Sequence, residues 1–200
     1  MESNYEQVIQ DNLSRAFAQP PESLAAHLPA EITGGVLHFR AFGRDCEATA
    51  DSIRLDGEPE TGAQGVVISL YLGSASPEVA VIEPLQAYKD FPDTMPYWGA
   101  FRTHTESILV PHVQRIRHLR RDLLREMGGR EALENPSGDF AFLLQPLPKI
   151  FLCYIFYEAD EDFPASATCL YSHNADRFIP VDGLADVGEY TSREIIRRLE

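Results

Sequence analysis

Between residues 3 and 18, Tyr5, Val8, Ile9, Leu13 and Phe17 recur at steps of three to five, the stripe of one amphipathic helix, and Pro20 and Pro21 end it. The period then drops to two. Leu37, Phe39 and Ala41 alternate with His38 and Arg40, and Cys46, Ala48 and Ala50 alternate with Glu47 and Thr49. Strands with one face turned inward give that alternation. Gly43-Arg44 has the form of a two-residue turn between them, and Asp56-Gly57 marks another after Ile53 and Leu55, so a small antiparallel meander is predicted.

Val66 to Leu72 is apolar on both parities, and its branched residues favour a strand. Thr61-x-x-Gln64 just before it is a capping box, and the reading is a buried helix. From Glu83 to Phe101 the chain is rich in proline and aromatics, and is expected to wrap over a core as short helices and turns. The strongest helical signal follows: Leu109, Val113, Ile116, Leu119, Leu123 and Met127 step at helical intervals until Gly128-Gly129, with Thr103-x-x-Glu106 as a cap and Pro111 near a first turn or kink. Phe140 to Leu144, Ile150 to Tyr157 and Ser166 to Tyr171 read as strands, the second apolar on both faces as in a covered sheet. Thr191-x-x-Glu194 reads as the cap of a closing helix. The pattern gives an α+β fold, one domain over residues 1–200, with an antiparallel sheet (the N-terminal meander plus a central hairpin) packed by helices.

Composition narrows the function classes. A chain of 200 residues buries enough surface to fold without disulfides or metal. Its longest uncharged apolar run, Ile150 to Tyr157, is too short to span a bilayer, and the amino terminus lacks a basic start and apolar core, so a cytoplasmic protein is expected. A net charge of -14 repels phosphate backbones and anionic lipid, which argues against nucleic acid and membrane as partners. Three cysteines with no C-x-x-C argue against a disulfide framework and against an iron–sulfur cluster held by this chain alone. There is no G-x-S-x-G, H-E-x-x-H or phosphate-binding glycine loop, so no catalytic residues are assigned.

Several groups of residues bear chemistry. Glu158, Asp160, Glu161 and Asp162 crowd one loop, where grouped oxygens suit a hard cation, or where a buried strand simply surfaces and turns. With the hairpin loop centred on Glu161, Cys153 faces Cys169 across the ladder and His173 shares their side, a donor set that suits a transition metal. A slip of one residue separates the thiols. The helix carrying Arg115, Arg117, Arg120, Arg121 and Arg125 concentrates positive charge in an acidic chain and suits phosphate or carboxylate.

The segments "LPKIFLCYIFYEADEDFPASATCLYSHNADRFIPVDGLADVGEYT", "AYKDFPDTMPYWGAF" and "TESILVPHV" resemble domain-of-unknown-function family 3786. The likeness runs from near Gly35 to about Ile196, and is most specific at the leucine-proline approach to the strand and the acidic F-P-A departure from it. The resemblance implies a shared fold, a cytoplasmic location in anaerobic bacteria and archaea, and a link to corrinoid or one-carbon metabolism; it implies no catalytic residues.

The expected function is therefore an accessory or binding domain for a protein partner or small ligand, with no cofactor. Its surface is built from Tyr88, Tyr97, Trp98 and Phe101 of the aromatic wrap together with Arg117 and Arg121. The alternative is a metal-dependent enzyme or metal-handling protein using Cys153, Cys169 and His173, or Asp160 and Asp162 of the acidic loop.

Overall fold

The alternating stretch folds as predicted into a meander, which two strands outside the predicted runs, β1 (Glu31–Thr33) and β5 (Glu58–Pro59), extend to five lying side by side in chain order with β2 (Val36–Ala41), β3 (Arg44–Ala48) and β4 (Ile53–Leu55). The computed structural model describes residues 4–132 and 138–200, so Ser3 at the start of the predicted first helix lies outside it. Two helices precede the meander, α1 (Asn4–Ala16) and α2 (Pro21–His27), the second opening on Pro21, whose missing N–H costs nothing in a first turn.

The turn between β2 and β3 corrects the sequence reading. Ala41 pairs with Arg44, so Phe42 and Gly43 form the loop, both at positive φ (53° and 76°). Phenylalanine is a costly choice there. Its ring is fully buried and its N–H donates to the Pro146 carbonyl at 2.7 Å, which ties the meander to the second sheet and outweighs the strained backbone. Asp56 and Gly57 turn as predicted, with Leu55 opposite Glu58.

Helix α3 (Ala63–Gly73) is buried, as read, but Gly62 rather than Thr61 stands at its cap, and the Glu60 carboxylate accepts the Gly62 N–H at 2.9 Å. The aromatic wrap comprises β6 (Gln86–Ala87), a 3-10 turn over Tyr88–Asp90 and the short α4 (Trp98–Phe101). The helical run beyond it is not uniform. A π-helical turn (Arg102–Glu106) and a 3-10 stretch (Ser107–His112) lead into α5 (Val113–Met127). Pro111 has no N–H to continue a regular ladder, and the backbone is re-pitched before it. The predicted Thr103/Glu106 cap does not form: Thr103 donates to the Gly99 carbonyl, and Glu106 turns inward. At the far end Gly128 adopts the left-handed conformation and Gly129 N–H donates to Leu124, as the glycine pair foretold.

The second sheet joins β6 to β7 (Arg130–Glu131), β8 (Phe140–Leu147), β9 (Ile150–Tyr157) and β10 (Ser166–Tyr171), antiparallel in the order β6-β10-β9-β8-β7. The final helix, α6 (Val181–Arg197), starts ten residues before the predicted cap and runs through it. Thr191 donates to the Val187 carbonyl at 2.6 Å, and Glu194 binds Arg197 and Arg198. Gly183 and Gly188 hid this start, because glycine lowers helix propensity.

One face of the second sheet, carrying Phe142, Tyr154, Phe156, Cys169 and Tyr171, shares a continuous core with α1, α3, α5, α6 and the inner residues of the meander. The opposite face carries a smaller cluster of Leu143, Cys153 and Ile155. Among the described residues no helix is long and apolar enough to cross a membrane.

Candidate functional site

Arginine dominates the helical run. Between residues 102 and 125 the sequence holds six arginines against two acids, within a chain of net charge -14. The burial of Val113, Ile116, Leu123 and Leu124 on one side of α5 leaves Arg115, Arg117, Arg121 and Arg125 exposed on the other. Arg117 pairs with Glu158, Arg125 with Asp122 at 2.7 Å, and Arg120 with Glu131 at 2.9 Å while lying over the Phe140 ring. Arg115 and Arg121 have no ion-pair partner among the described residues. A guanidinium free on an exposed helix face is available to an external carboxylate or phosphate.

The aromatic wrap divides in two. Tyr88 and Phe101 are buried, stacked at 4.5 Å and packed on Tyr171, and the Tyr88 hydroxyl donates to Val181 at 2.8 Å. These two are core residues. Trp98 stacks on Phe101 at 5.7 Å and is half-buried, whereas Tyr97 (40% exposed) and Met95 (70%) face outward. The sequence foretold the cluster but not which ring faced which way, because the proline-rich turns carry no period from which to assign a face.

Under the π-helical turn lies a polar network that spacing did not reveal. Ser192 donates to the Thr105 carbonyl at 2.8 Å, and the Tyr154 hydroxyl lies 3.1 Å from Ser192. The Tyr171 hydroxyl donates to Leu184 at 2.9 Å, and the half-buried Glu106 carboxylate accepts the Cys169 N–H at 3.0 Å. Burial lifts Glu106 above the usual carboxylate range, although that hydrogen bond pulls the other way. Thr105 Oγ1 is buried with no hydrogen-bond partner among the described residues. Gly188 is what lets the network close. A Cβ there would meet Tyr171 Oη at 2.5 Å.

The thiol site is corrected by register. Cys169 pairs with Tyr154, and Leu170 with Cys153, one residue off the predicted pairing. The thiols therefore point to opposite faces, Cys169 into the main core and Cys153 into the small cluster, while His173 is exposed beyond the end of β10. Burial pushes the Cys153 thiol up to about 11 and the Cys169 thiol well above its ordinary range. The loop is not centred on Glu161 because Asp160 Oδ1 accepts the N–H groups of Asp162 and Phe163 (2.9 and 2.7 Å) and fixes an asymmetric turn. Asp160 is thereby engaged with its own backbone and Asp162 is exposed. Among the described residues no three or more His, Cys, Asp or Glu side chains are grouped to hold a metal ion.

A cleft of about 640 Å³ lies between the meander, the C-terminal end of α5 and the β8–β9 turn, and the sequence did not single it out. Its charged lining comes from His38, Arg40 and Glu47, read only as the polar side of the meander, and from Glu31 and Asp45, with Gln145 opposite. The legible signal was the polar alternation of β2 and β3; the wall that makes the face concave comes from residues about 80 positions or more away, Met127, Gln145 and Pro148.

A family model described as a domain of unknown function (DUF3786) matches residues 20–194. No curated protein and no solved structure matches the chain.

Proposed function

The chain belongs to the DUF3786 family, and from that footing we propose that it is a cytoplasmic accessory domain that binds an acidic protein partner or small anionic ligand along its arginine-bearing helical run. The observation that carries the reading is the pair Arg115 and Arg121, exposed on α5 without an ion-pair partner among the described residues. In a chain of net charge -14 an acid approaching at random meets repulsion, and a group of exposed arginines on one helix face opposes it. Arginine is suited to the role because its planar fork grips carboxylate or phosphate with two parallel hydrogen bonds. Arg117, though paired with Glu158, adds charge to the same exposed side. Met95 and Tyr97, exposed at the start of the run, offer the apolar and aromatic contact that interface centres favour.

The test is titration calorimetry on the whole chain with two probes, a poly-glutamate peptide and cobyrinic acid, a corrinoid whose side chains are free carboxylates. The second is chosen because the family resemblance implies a corrinoid setting. Saturable binding that weakens with salt and is lost in the double variant Arg115→Glu, Arg121→Glu is the expected result. Both side chains are exposed, so the variant retains the fold. Binding of neither probe, or binding indifferent to the reversal, would sink the reading.

A further inference from the structure

On the outer face of the meander, Glu31, His38 and Glu47 stand in one cross-strand row, Glu31 opposite His38 and His38 opposite Glu47. A row of this kind places neighbouring side chains about 5 Å apart. The imidazole is thus flanked by two carboxylates, with His38 Nδ1 4.0 Å from Glu47 Oε1. All three line the cleft of about 640 Å³, a volume within the range of small-ligand sites.

The donors and acceptors of the cleft are unequally engaged. Arg40, the one arginine or lysine in its lining, is already engaged: it pairs with Asp45 at 2.9 Å and donates to the Gly43 carbonyl and, at 3.2 Å, to the Glu126 carbonyl at the end of α5. Gln145 donates its amide hydrogen to Pro148 at 2.7 Å, which leaves the amide oxygen for the cleft. The Glu31 side chain has no hydrogen bond or ion pair among the described residues; Glu47 has the distant imidazole and, opposite it on β4, Arg54, whose guanidinium is turned to the Gly57 carbonyl. The unengaged groups are acceptors, two of them carboxylates, while Pro29, Pro148 and Met127 supply apolar wall. A ligand that satisfies this lining brings hydrogen-bond donors, positive charge and a short apolar stem.

We propose that the cleft is a second binding site, distinct from the arginine face, that takes an aliphatic or guanidinium cation between Glu31 and Glu47 with its stem against Met127 and the prolines. That chemistry has two sources, a free amine or the lysine or arginine side chain of a basic peptide. The apolar wall is the reason to expect an organic cation rather than a bare metal ion, whose grouped ligands the described residues do not provide.

The experiment titrates the whole chain with 1,4-diaminobutane, with agmatine and with a short lysine- and arginine-containing peptide blocked at both ends. Three variants are compared: Glu31→Gln with Glu47→Gln, Asp162→Asn as an acid removed elsewhere, and Arg121→Glu on the other face. Saturable binding of at least one probe, weakened about tenfold or more by the paired glutamine variant and unchanged by the other two, is the expected result. Binding of the free amines without the peptide assigns a small-molecule site, and the reverse assigns a side-chain reader. No saturable binding of any probe, or equal weakening by Asp162→Asn, would overturn the proposal. The glutamine substitutions are on exposed or half-exposed side chains, and unchanged melting of the variant separates lost binding from lost fold.

Discussion

The side-chain amide of Asn12 donates to the hydroxyl of Ser69 at 3.0 Å in the buried seam between α1 and α3, and Ser69 passes its own hydrogen to the Val66 carbonyl at 2.7 Å. The chain of bonds joins the first helix, which precedes the region matched by the family model, to the core. Asn12→Ala leaves Ser69 still bonded but opens a small void, whereas Ser69→Ala leaves a buried amide without an acceptor. Each is expected to lower stability by about 1–3 kcal/mol in denaturant titration, with the double variant losing less than the sum.

Gly188 admits no side chain. A Cβ would lie 2.5 Å from Tyr171 Oη, 2.9 Å from Phe101 and 3.0 Å from Thr105 Oγ1, all rigidly packed. Gly188→Ala is expected to cost about 1–3 kcal/mol by overpacking, despite the better helix propensity of alanine. Gly99→Ala, with nothing within 4 Å, is the control and is expected to be neutral or slightly stabilising by melting temperature.

Burial, reinforced by Glu189 and Asp182, raises Asp186 to about 6. An unfolded aspartate titrates near about 4, so between those values the folded state holds a proton that the unfolded chain has released. Stability therefore falls as pH rises through that window and stays lower above it. Asp186→Asn is expected to remove the fall: its advantage over the parent grows from pH 4 to 6 and then levels. Denaturant titrations across that range decide, and a difference that is constant with pH would count against the assignment.

Lys149 is 6% exposed and makes no ion pair within 4 Å among the described residues. Its ammonium donates to the carbonyls of Ser76 (2.6 Å) and Glu78 (2.7 Å) and lies 5.3 Å from the Phe178 ring centroid. Burial draws its pKa down, and Glu78 opposes the shift. Asn174 holds the following segment through Val79 and Val81. Lys149→Met is expected to speed hydrogen exchange at Val81 and His173, whose amides bond within this strap, and to cost about 1.5–3 kcal/mol.

Cys46, Cys153 and Cys169 are each at most 2% exposed, and burial holds every one above the ordinary thiol range. Thiolate is the reactive form. Labelling by a disulfide reagent is expected to proceed at the rate of unfolding, measured by comparing native and urea-exposed protein; rapid labelling of native Cys153 would show that its face opens.

Much of this architecture was legible because it is periodic. Ile150 to Tyr157 has the bounds its apolar run predicted, and Leu37, Phe39, Ala41, Cys46 and Ala48 face inward as the alternation selected, whereas Ala50 is exposed beyond the end of β3. What escaped the sequence depended on contacts between distant segments. Phe42 takes a left-handed turn because its ring and N–H are bound by the second sheet, and α6 begins early because Gly183 and Gly188 answer to packing. The three capping-box patterns failed separately: Gly62 takes the place of Thr61, α6 already runs through Thr191, and Glu106 is needed by the Cys169 N–H. At the candidate sites, the arginines were visible as a charge pattern. The inward turn of Tyr88 and Phe101, the separation of the thiols and the concavity behind His38 were set by a loop centre, a ring's neighbours and a far wall.

The uneven placement of charge gives the molecule an orientation before it touches anything. Acids repel over a distance of about 8 Å at physiological salt, and the run from Arg102 to Arg125, with six arginines against two acids, is locally basic within an acidic chain. If α5 is the binding face proposed above, a negatively charged partner is turned away by the acidic surface and admitted along that helix, so encounter itself is directional. The helix can thereby shape how fast and from which side association begins, even where the contacts finally made are few.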